Sequence, residues 1–153
     1  MRDGMLQVSG ELDLTMDGPS QKLEIKPYSK RRAIYGYIDR QNISPTLNSF
    51  DFANPNIHAP QRVETTVPQQ ALFAFNHPFV IERSASLAKR VLKSQNADSS
   101  SMVEFLYRQV LSRNPSKDEI KLGAEFLTND AKLANLEDLA QTLLVSNEFF
   151  FTD

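Results

Sequence analysis

Helix-start signals in the last third of the chain constrain the fold more than any other feature. Ser101-Met102-Val103-Glu104 and Ser116-Lys117-Asp118-Glu119 both have Ser three residues ahead of Glu, the reciprocal arrangement that satisfies the free amides of a first helical turn. Each is followed by apolar residues at helical spacing: Phe105, Leu106, Val110 and Leu111 after the first, Ile120, Ala124 and Leu127 after the second. Asn135 is placed to cap a third helix whose Leu136, Leu139, Ala140, Leu143 and Leu144 form one face. The spacing predicts a three-helix unit over residues 99–153. Three consecutive phenylalanines, Phe149 to Phe151, are expected to fold back onto it, because left exposed they would invite aggregation.

The same logic runs upstream. Residues 78–94 carry a broad stripe of Phe79, Val80, Ala85, Leu87, Ala88, Val91 and Leu92, with Arg83, Lys89, Arg90 and Lys93 expected on the solvent side. Before it, Thr66 is placed to cap a short helix with Pro68 in the first turn and Gln69 at the box position. Residues 30–42 read as a helix with Ala33, Ile34, Tyr37, Ile38 and Gln41 on one side, and Gly36 as a close helix crossing. Residues 1–10 look like the interior of a helix carrying Met5, Leu6 and Val8.

Two stretches read as irregular. Residues 11–29 hold the turn signal Asp17-Gly18-Pro19-Ser20, with residues 21–25 extended. Residues 43–65 are rich in Pro, Asn and Ser, and so long a loop is expected to be ordered, packed by Phe50, Phe52 and Ile57. A polar linker covers residues 95–100. The whole is an all-α, irregular multi-helix bundle of one domain over 1–153, with sub-units 1–95 and 99–153.

Composition narrows the function. A net charge of −2 in 153 residues argues against nucleic acid as a partner. Charge is uneven, however: residues 22–40 carry six basic and two acidic side chains, whereas residues 97–153 carry ten acidic and five basic. With no cysteine, and with His58 and His77 as the two histidines, no metal-ligand spacing is present. No apolar run approaches the roughly 20 residues of a membrane span, and residues 1–13 lack the apolar core of a secretion signal. Serine occurs in no nucleophile-elbow context and glycine in no phosphate loop, so no catalytic residue and no cofactor is assigned.

One polar constellation remains. Arg31, Arg32, Arg40 and Arg62 suit a carboxylate, phosphate or sulfate, with Asp51, Thr65, Thr66, Gln69 and His77 as a possible polar cluster beside them. The alternative use of Arg40 or Arg62 is pairing with Asp51 or Glu64 to fasten the long loop.

These residues also carry a resemblance. Arg31-Arg32-Ala33-Ile34-Tyr35, Phe50-Asp51, Pro55-Asn56, Arg62, Thr65-Thr66, Pro68-Gln69-Gln70-Ala71-Leu72, Asn76, Phe79-Val80 and Ser146-Asn147-Glu148-Phe149 occur in order. Together they are similar to the C-terminal part of a planctomycete-specific domain of unknown function (family 1553, PSD1-type), found in cytochrome-c-linked multidomain secreted proteins. The resemblance implies that this chain is a fragment of a larger family domain, in a periplasmic or secreted protein. It implies as partners the upstream domains of the same polypeptide or another protein, with anionic glycan as an alternative. A weaker likeness joins Tyr107-Arg108, Leu111-Ser112-Arg113 and Ser146 to Phe149, which resemble helical linker-type assembly modules. Both point to a non-catalytic interaction or scaffold domain. The alternative is part of an enzyme acting on anionic, for example sulfated, polysaccharide.

Overall fold

The computed structural model describes residues 1–61, 68–94, 98–127 and 132–150. Among these residues the regular structure consists of eight α-helices and one 3₁₀ turn, with two isolated β-bridges and no sheet. The helices are α1 (Arg2–Ser9), α2 (Pro45–Ser49), α3 (Pro68–Asn76), α4 (Pro78–Ser94), α5 (Ser99–Leu111), α6 (Lys117–Phe126), α7 (Lys132–Leu144) and α8 (Asn147–Phe150). The fold is all-α, as the helical periodicity predicts.

The spine is the packing of α4 along α7, flanked by α1 on α4 and by α5. Val80, Leu87, Ala88 and Val91 from α4 meet Leu136, Ala140, Leu143 and Leu144 from α7 in one cluster. Met5 and Leu6 from α1 and Met102, Val103 and Leu106 from α5 complete it, so helices from both parts of the chain share one core. Burying each Val, Leu or Met of this cluster contributes about 1.5–3 kcal/mol. Gly10 stops α1 at φ 77°, a left-handed conformation that costs glycine nothing. Its amide donates back to the Gln7 carbonyl at 3.0 Å. Phe149 and Phe150 pack against the core as expected; Phe151 lies outside the described residues.

Helix starts follow the capping chemistry, with two corrections. At α6 the Ser116 hydroxyl accepts from the Glu119 amide (3.2 Å) and Glu119 accepts from the Ser116 amide (2.6 Å), the reciprocal box the spacing predicts. At α5 the cap is Asp98, not Ser101: its carboxylate accepts from the Ser101 amide at 3.3 Å. An Asp three residues earlier offers a charged acceptor to the same free amides, and the helix therefore begins at Ser99. Asn135 lies inside α7 and does not cap it; its amide instead donates to the Phe126 carbonyl at 2.9 Å, closing the end of α6. The proposed cap at Thr66 lies outside the described residues.

The larger correction concerns residues 30–42. No helix forms there beyond the single 3₁₀ turn Ala33–Tyr35, and the chain on both sides is extended. Its backbone groups are claimed from elsewhere: Asp13 N–H donates to the Lys30 carbonyl (2.9 Å), Gln21 N–H to Tyr35 (2.8 Å), and Tyr37 N–H to Gln21 (2.9 Å). The run Ile34-Tyr35-Gly36-Tyr37-Ile38 consists of weak helix formers, so these long-range bonds prevail over local ones. Gly36 does mark a close approach, but to Leu23: a Cβ there would lie 2.5 Å from Leu23 Cδ1. Within the connector read as irregular, Ser44 caps the five-residue α2 with Pro45 in its first turn. Phe50 packs edge-on against Phe73, with ring centres 5.2 Å apart, whereas Phe52 and Ile57 are exposed.

Gly123 sets the approach of α6 to α5, because a Cβ there would lie 2.7 Å from Val103 Cγ2. Gly123→Ala is therefore expected to lower stability by about 1–2 kcal/mol, overpacking outweighing the helix-propensity gain. In a Val103→Ala background the same change should cost nothing or stabilise. Urea denaturation of the four proteins measures this coupling, and equal effects in both backgrounds would refute the contact.

Candidate functional site

The predicted site residues fall in separate settings. Arg31 is buried, and its guanidinium donates to the backbone carbonyls of Thr15 (3.1 Å), Asp17 and Pro19 (3.4 Å) while lying 4.0 Å over the Tyr35 ring. Arg32 is exposed, with Nε 4.0 Å from the Asp3 carboxylate. Arg40 is exposed at the far end of the extended stretch, where its carbonyl accepts from Asn56 (3.1 Å). Asp51 sits half-buried at φ 53° after α2. His77 stacks on Phe73 (4.2 Å), and its Nδ1 accepts from the Phe79 amide (3.2 Å) at the start of α4. Burial lowers its pKa, favouring the neutral ring that this acceptor role requires. Arg62, Thr65 and Thr66, and the side chain of Gln69, lie outside the described residues.

A different ionic centre stands where α1, the 26–31 segment and α4 meet. Arg83 was expected on the wet side of α4 but is 5% exposed. It lies one turn from both Phe79 and Leu87, on the buried stripe, which is the signal that places it inside. Its Nε is 3.1 Å from Glu11 and its Nη2 is 3.5 Å from Glu82, with the Phe79 ring 5.2 Å away. Among the described residues Nε and Nη1 of Arg83 have no aligned hydrogen-bond acceptor, so its contact with Glu11 is an ion pair without a directed bond. Lys30 pairs with Glu11 and Lys26 with Glu82, each at 2.9 Å. Burial pushes the Glu11 carboxyl up, but hydrogen bonds from Lys30 and Ser86 and the Arg83 charge outweigh it, and the net pKa is lowered.

Beside Arg83, Arg2 spans the gap to the irregular segment. It donates to the carbonyls of Arg31 (2.8 Å) and Ser29 and sits 5.4 Å over Phe79. Burial, and to a lesser extent the nearby Arg83 charge, lower its pKa against the opposing pull of Asp3.

Two open clefts adjoin this centre and share Glu11. One, of about 510 Å³, is lined by Lys26, Pro27, Tyr28, Lys30, Glu82 and Arg83 as well as Glu11. The other, of about 630 Å³, runs on along α4 past Ser86, Lys89, Arg90, Lys93 and Ser94, with Ser9 and Gly10 on its opposite bank.

A second ion cluster ties the C-terminal helices. Arg113 makes a two-pronged contact with Glu119 (2.9 and 2.8 Å) and a second with Glu148 (2.6 and 2.9 Å). It also lies 5.2 Å over the Tyr107 ring. The widely separated Tyr107, Arg113 and Glu148 of the linker-like motif thus converge on one knot that clips α8 to the α5–α6 turn. Hydrogen bonds from Arg113, then from the Ser116 amide, hold the Glu119 carboxyl down at about 2. Among the described residues no group of three or more His, Asp or Glu side chains is placed to hold a metal ion.

Two outcomes follow from these clusters. Because the folded pKa of Glu119 lies below its ordinary 4.5, its contribution is complete above that pH and is lost as pH falls toward 2. The stability gap between wild type and Arg113→Gln should therefore be widest at pH 6 and shrink below pH 4.5, and a carboxyl-carbon NMR titration should place Glu119 near 2. A gap independent of pH would refute the knot. At the other cluster, Glu11→Ala strands a buried guanidinium and should cost about 3 kcal/mol in urea unfolding. A loss below about 0.5 kcal/mol would mean that Arg83 is satisfied without Glu11.

No curated protein and no solved structure matches the chain. The family model described as PSD1, protein of unknown function (DUF1553), matches residues 1–127, from α1 to the end of α6. A match over that share of a 153-residue chain, in agreement with the ordered motifs around Arg31, Phe50 and Phe79, places this protein in the PSD1 (DUF1553) family.

Proposed function

We propose that this PSD1 chain is a non-catalytic helical interaction or scaffold domain of a multidomain extracytoplasmic protein. One observation carries the proposal: the irregular segment displays large apolar side chains on a backbone that is firmly pinned. Met16 is 70% exposed and Ile34 78% exposed, and Leu14, Ile25 and Tyr37 are also exposed. Yet the segment is held by Arg31 on three carbonyls, by the Asp3 carboxylate on the Ala33 amide (2.8 Å), and by bridges pairing Asp13 with Arg31 and Gln21 with Gly36. Ordered apolar groups left in water are a feature of surfaces that another protein covers.

The occupant that fits best is a protein surface, with the domains that precede this segment in family members as the first choice. The family resemblance supports the extracytoplasmic setting. The alternative, an enzyme component acting on anionic polysaccharide through Arg31, Arg32, Arg40 and Arg62, needs free guanidinium donors. The Nη donors of Arg31 are directed at the Thr15, Asp17 and Pro19 carbonyls.

The double variant Met16→Asp/Ile34→Asp tests the proposal, because both side chains are largely exposed and folding should survive. Its melting temperature should stay within about 2 °C of wild type, while affinity for the preceding domains supplied in trans should fall about tenfold or more. Unchanged affinity, read by isothermal titration, would remove this surface from the interaction.

A further inference from the structure

His77 joins two helices through three of its own groups. Its amide donates to the Phe73 carbonyl at 2.8 Å and so belongs to the last turn of α3. Its carbonyl accepts from the Val80 and Ile81 amides (2.9 and 3.3 Å) and so belongs to the first turn of α4. Pro78 opens α4 and has no N–H, which makes the Phe79 amide the first that needs an acceptor. The His77 ring supplies it through Nδ1 at 3.2 Å, the part that Ser, Asp or Asn usually plays at a helix start. The same ring stacks on Phe73 at 4.2 Å and lies 6.0 Å from Tyr28. Phe73 in turn meets Phe50 of the connector, and Tyr28 meets Phe79, whose ring Arg2 and Arg83 cover.

An imidazolium cannot fill this role. Both its nitrogens carry protons, so the Phe79 amide loses its acceptor, and a cation comes to lie at the positive end of the α4 dipole. Burial opposes the charge most, Glu24 attracts it and Lys26 repels it, and the pKa is lowered from the ordinary 6.5. The Phe73 face also favours a charged ring, as Glu24 does. No ionisable side chain lies in α2 or α3; Asp51 follows Phe50 on the connector, and Glu82, the first ionisable residue of α4, is paired with Lys26. From α7 the polar contact to α3 is the uncharged Gln141, which donates to the Phe75 carbonyl at 2.7 Å. α3 is lightly buried: Phe73 and Ala74 face inward, whereas Leu72 and Phe75 are exposed.

We propose that His77 is a pH-operated latch: the neutral ring fastens α3 and the α2 connector to the start of α4, and proton uptake releases that corner while the α4–α7 core stays closed. Because the folded pKa lies below the unfolded one, the latch is fully engaged above about pH 6.5. It disengages as pH falls through the lower folded value. The latch uses none of the residues of the apolar surface assigned above, so either can fail alone.

The test is amide hydrogen exchange of the full chain at pH 7.5 and 5.0, each rate normalised to that of an unfolded peptide at the same pH. Protection of the Ala74, Phe75, His77 and Phe79 amides should fall about fivefold to tenfold at pH 5.0, as for a lost cap. The Leu143 and Leu144 amides of α7 should hold within about twofold. His77→Asn keeps a capping oxygen that does not titrate. Its protection at pH 7.5 should stay within about threefold of wild type and should not respond to acid. His58→Asn, at the other histidine, should keep the response. Proton NMR should show the His77 imidazole titrating below 6.5. Unchanged protection of α3 at pH 5.0 overturns the proposal, as does an acid response that survives in His77→Asn. A loss spread equally over α3 and α7 would be global unfolding and would overturn it too.

Discussion

More than thirty residues of this chain, from Gly10 to the start of α2, have neither a long helix nor a sheet to pair their backbone groups, and that constraint governs the structure. An unpaired buried amide or carbonyl costs free energy comparable to a lost hydrogen bond. Side chains on the flanking elements meet the demand. Arg2 serves the carbonyls of Ser29 and Arg31, Asp3 accepts from the Ala33 amide, and Arg31 serves Thr15, Asp17 and Pro19. The same device recurs elsewhere: Gln70 donates to the Ser49 carbonyl, Arg90 to Val8 and Gln141 to Phe75. Fixed guanidinium forks suit this role, since each reaches several carbonyls at once.

The device has an electrostatic consequence at α4. Drawing Arg2 and Arg83 inward requires carboxylates nearby: Asp3 serves Arg2, and Glu11 and Glu82 serve Arg83. Those acids also pair with lysines of the irregular segment, Glu82 on α4 with Lys26 and Glu11 after α1 with Lys30. The centre therefore acts first as a structural clamp. Every cation of the clamp has an acidic partner, whereas Lys89 and Lys93 further along α4 are exposed.

The helical part was largely legible from local chemistry. Capping at Ser116, the stripes of α4 and α7 and the break at His77-Pro78 depend on residues within a few positions of each other, so their spacing carries the information. Arg83 was legible in principle, from its place between Phe79 and Leu87, but its type suggested solvent. Within the arginine constellation, Arg31 directs its Nη groups at backbone carbonyls, which its sequence context did not reveal. Guanidinium groups that hold a ligand and those that hold a loop look alike when the acceptor is a distant carbonyl. The Arg113–Glu148 pair, 35 positions apart, was visible as a motif but not as a contact.

The order of amino acids alone determined the class of fold, most helix limits and the absence of cysteine chemistry, because each rests on residue type and short-range periodicity. Only the tertiary structure decided that residues 30–42 form no helix beyond one 3₁₀ turn, that Asp98 and not Ser101 starts α5, and that Arg83 is buried while Lys89 and Lys93 stay in water. In the first case, the physical reason is competition: a segment with weak local preference adopts whichever hydrogen bonds the rest of the fold offers it. Which charges face inward is likewise set by the carboxylates and carbonyls that packing brings within reach, and these lie as far as 82 residues away in the chain, as Val8 does from Arg90.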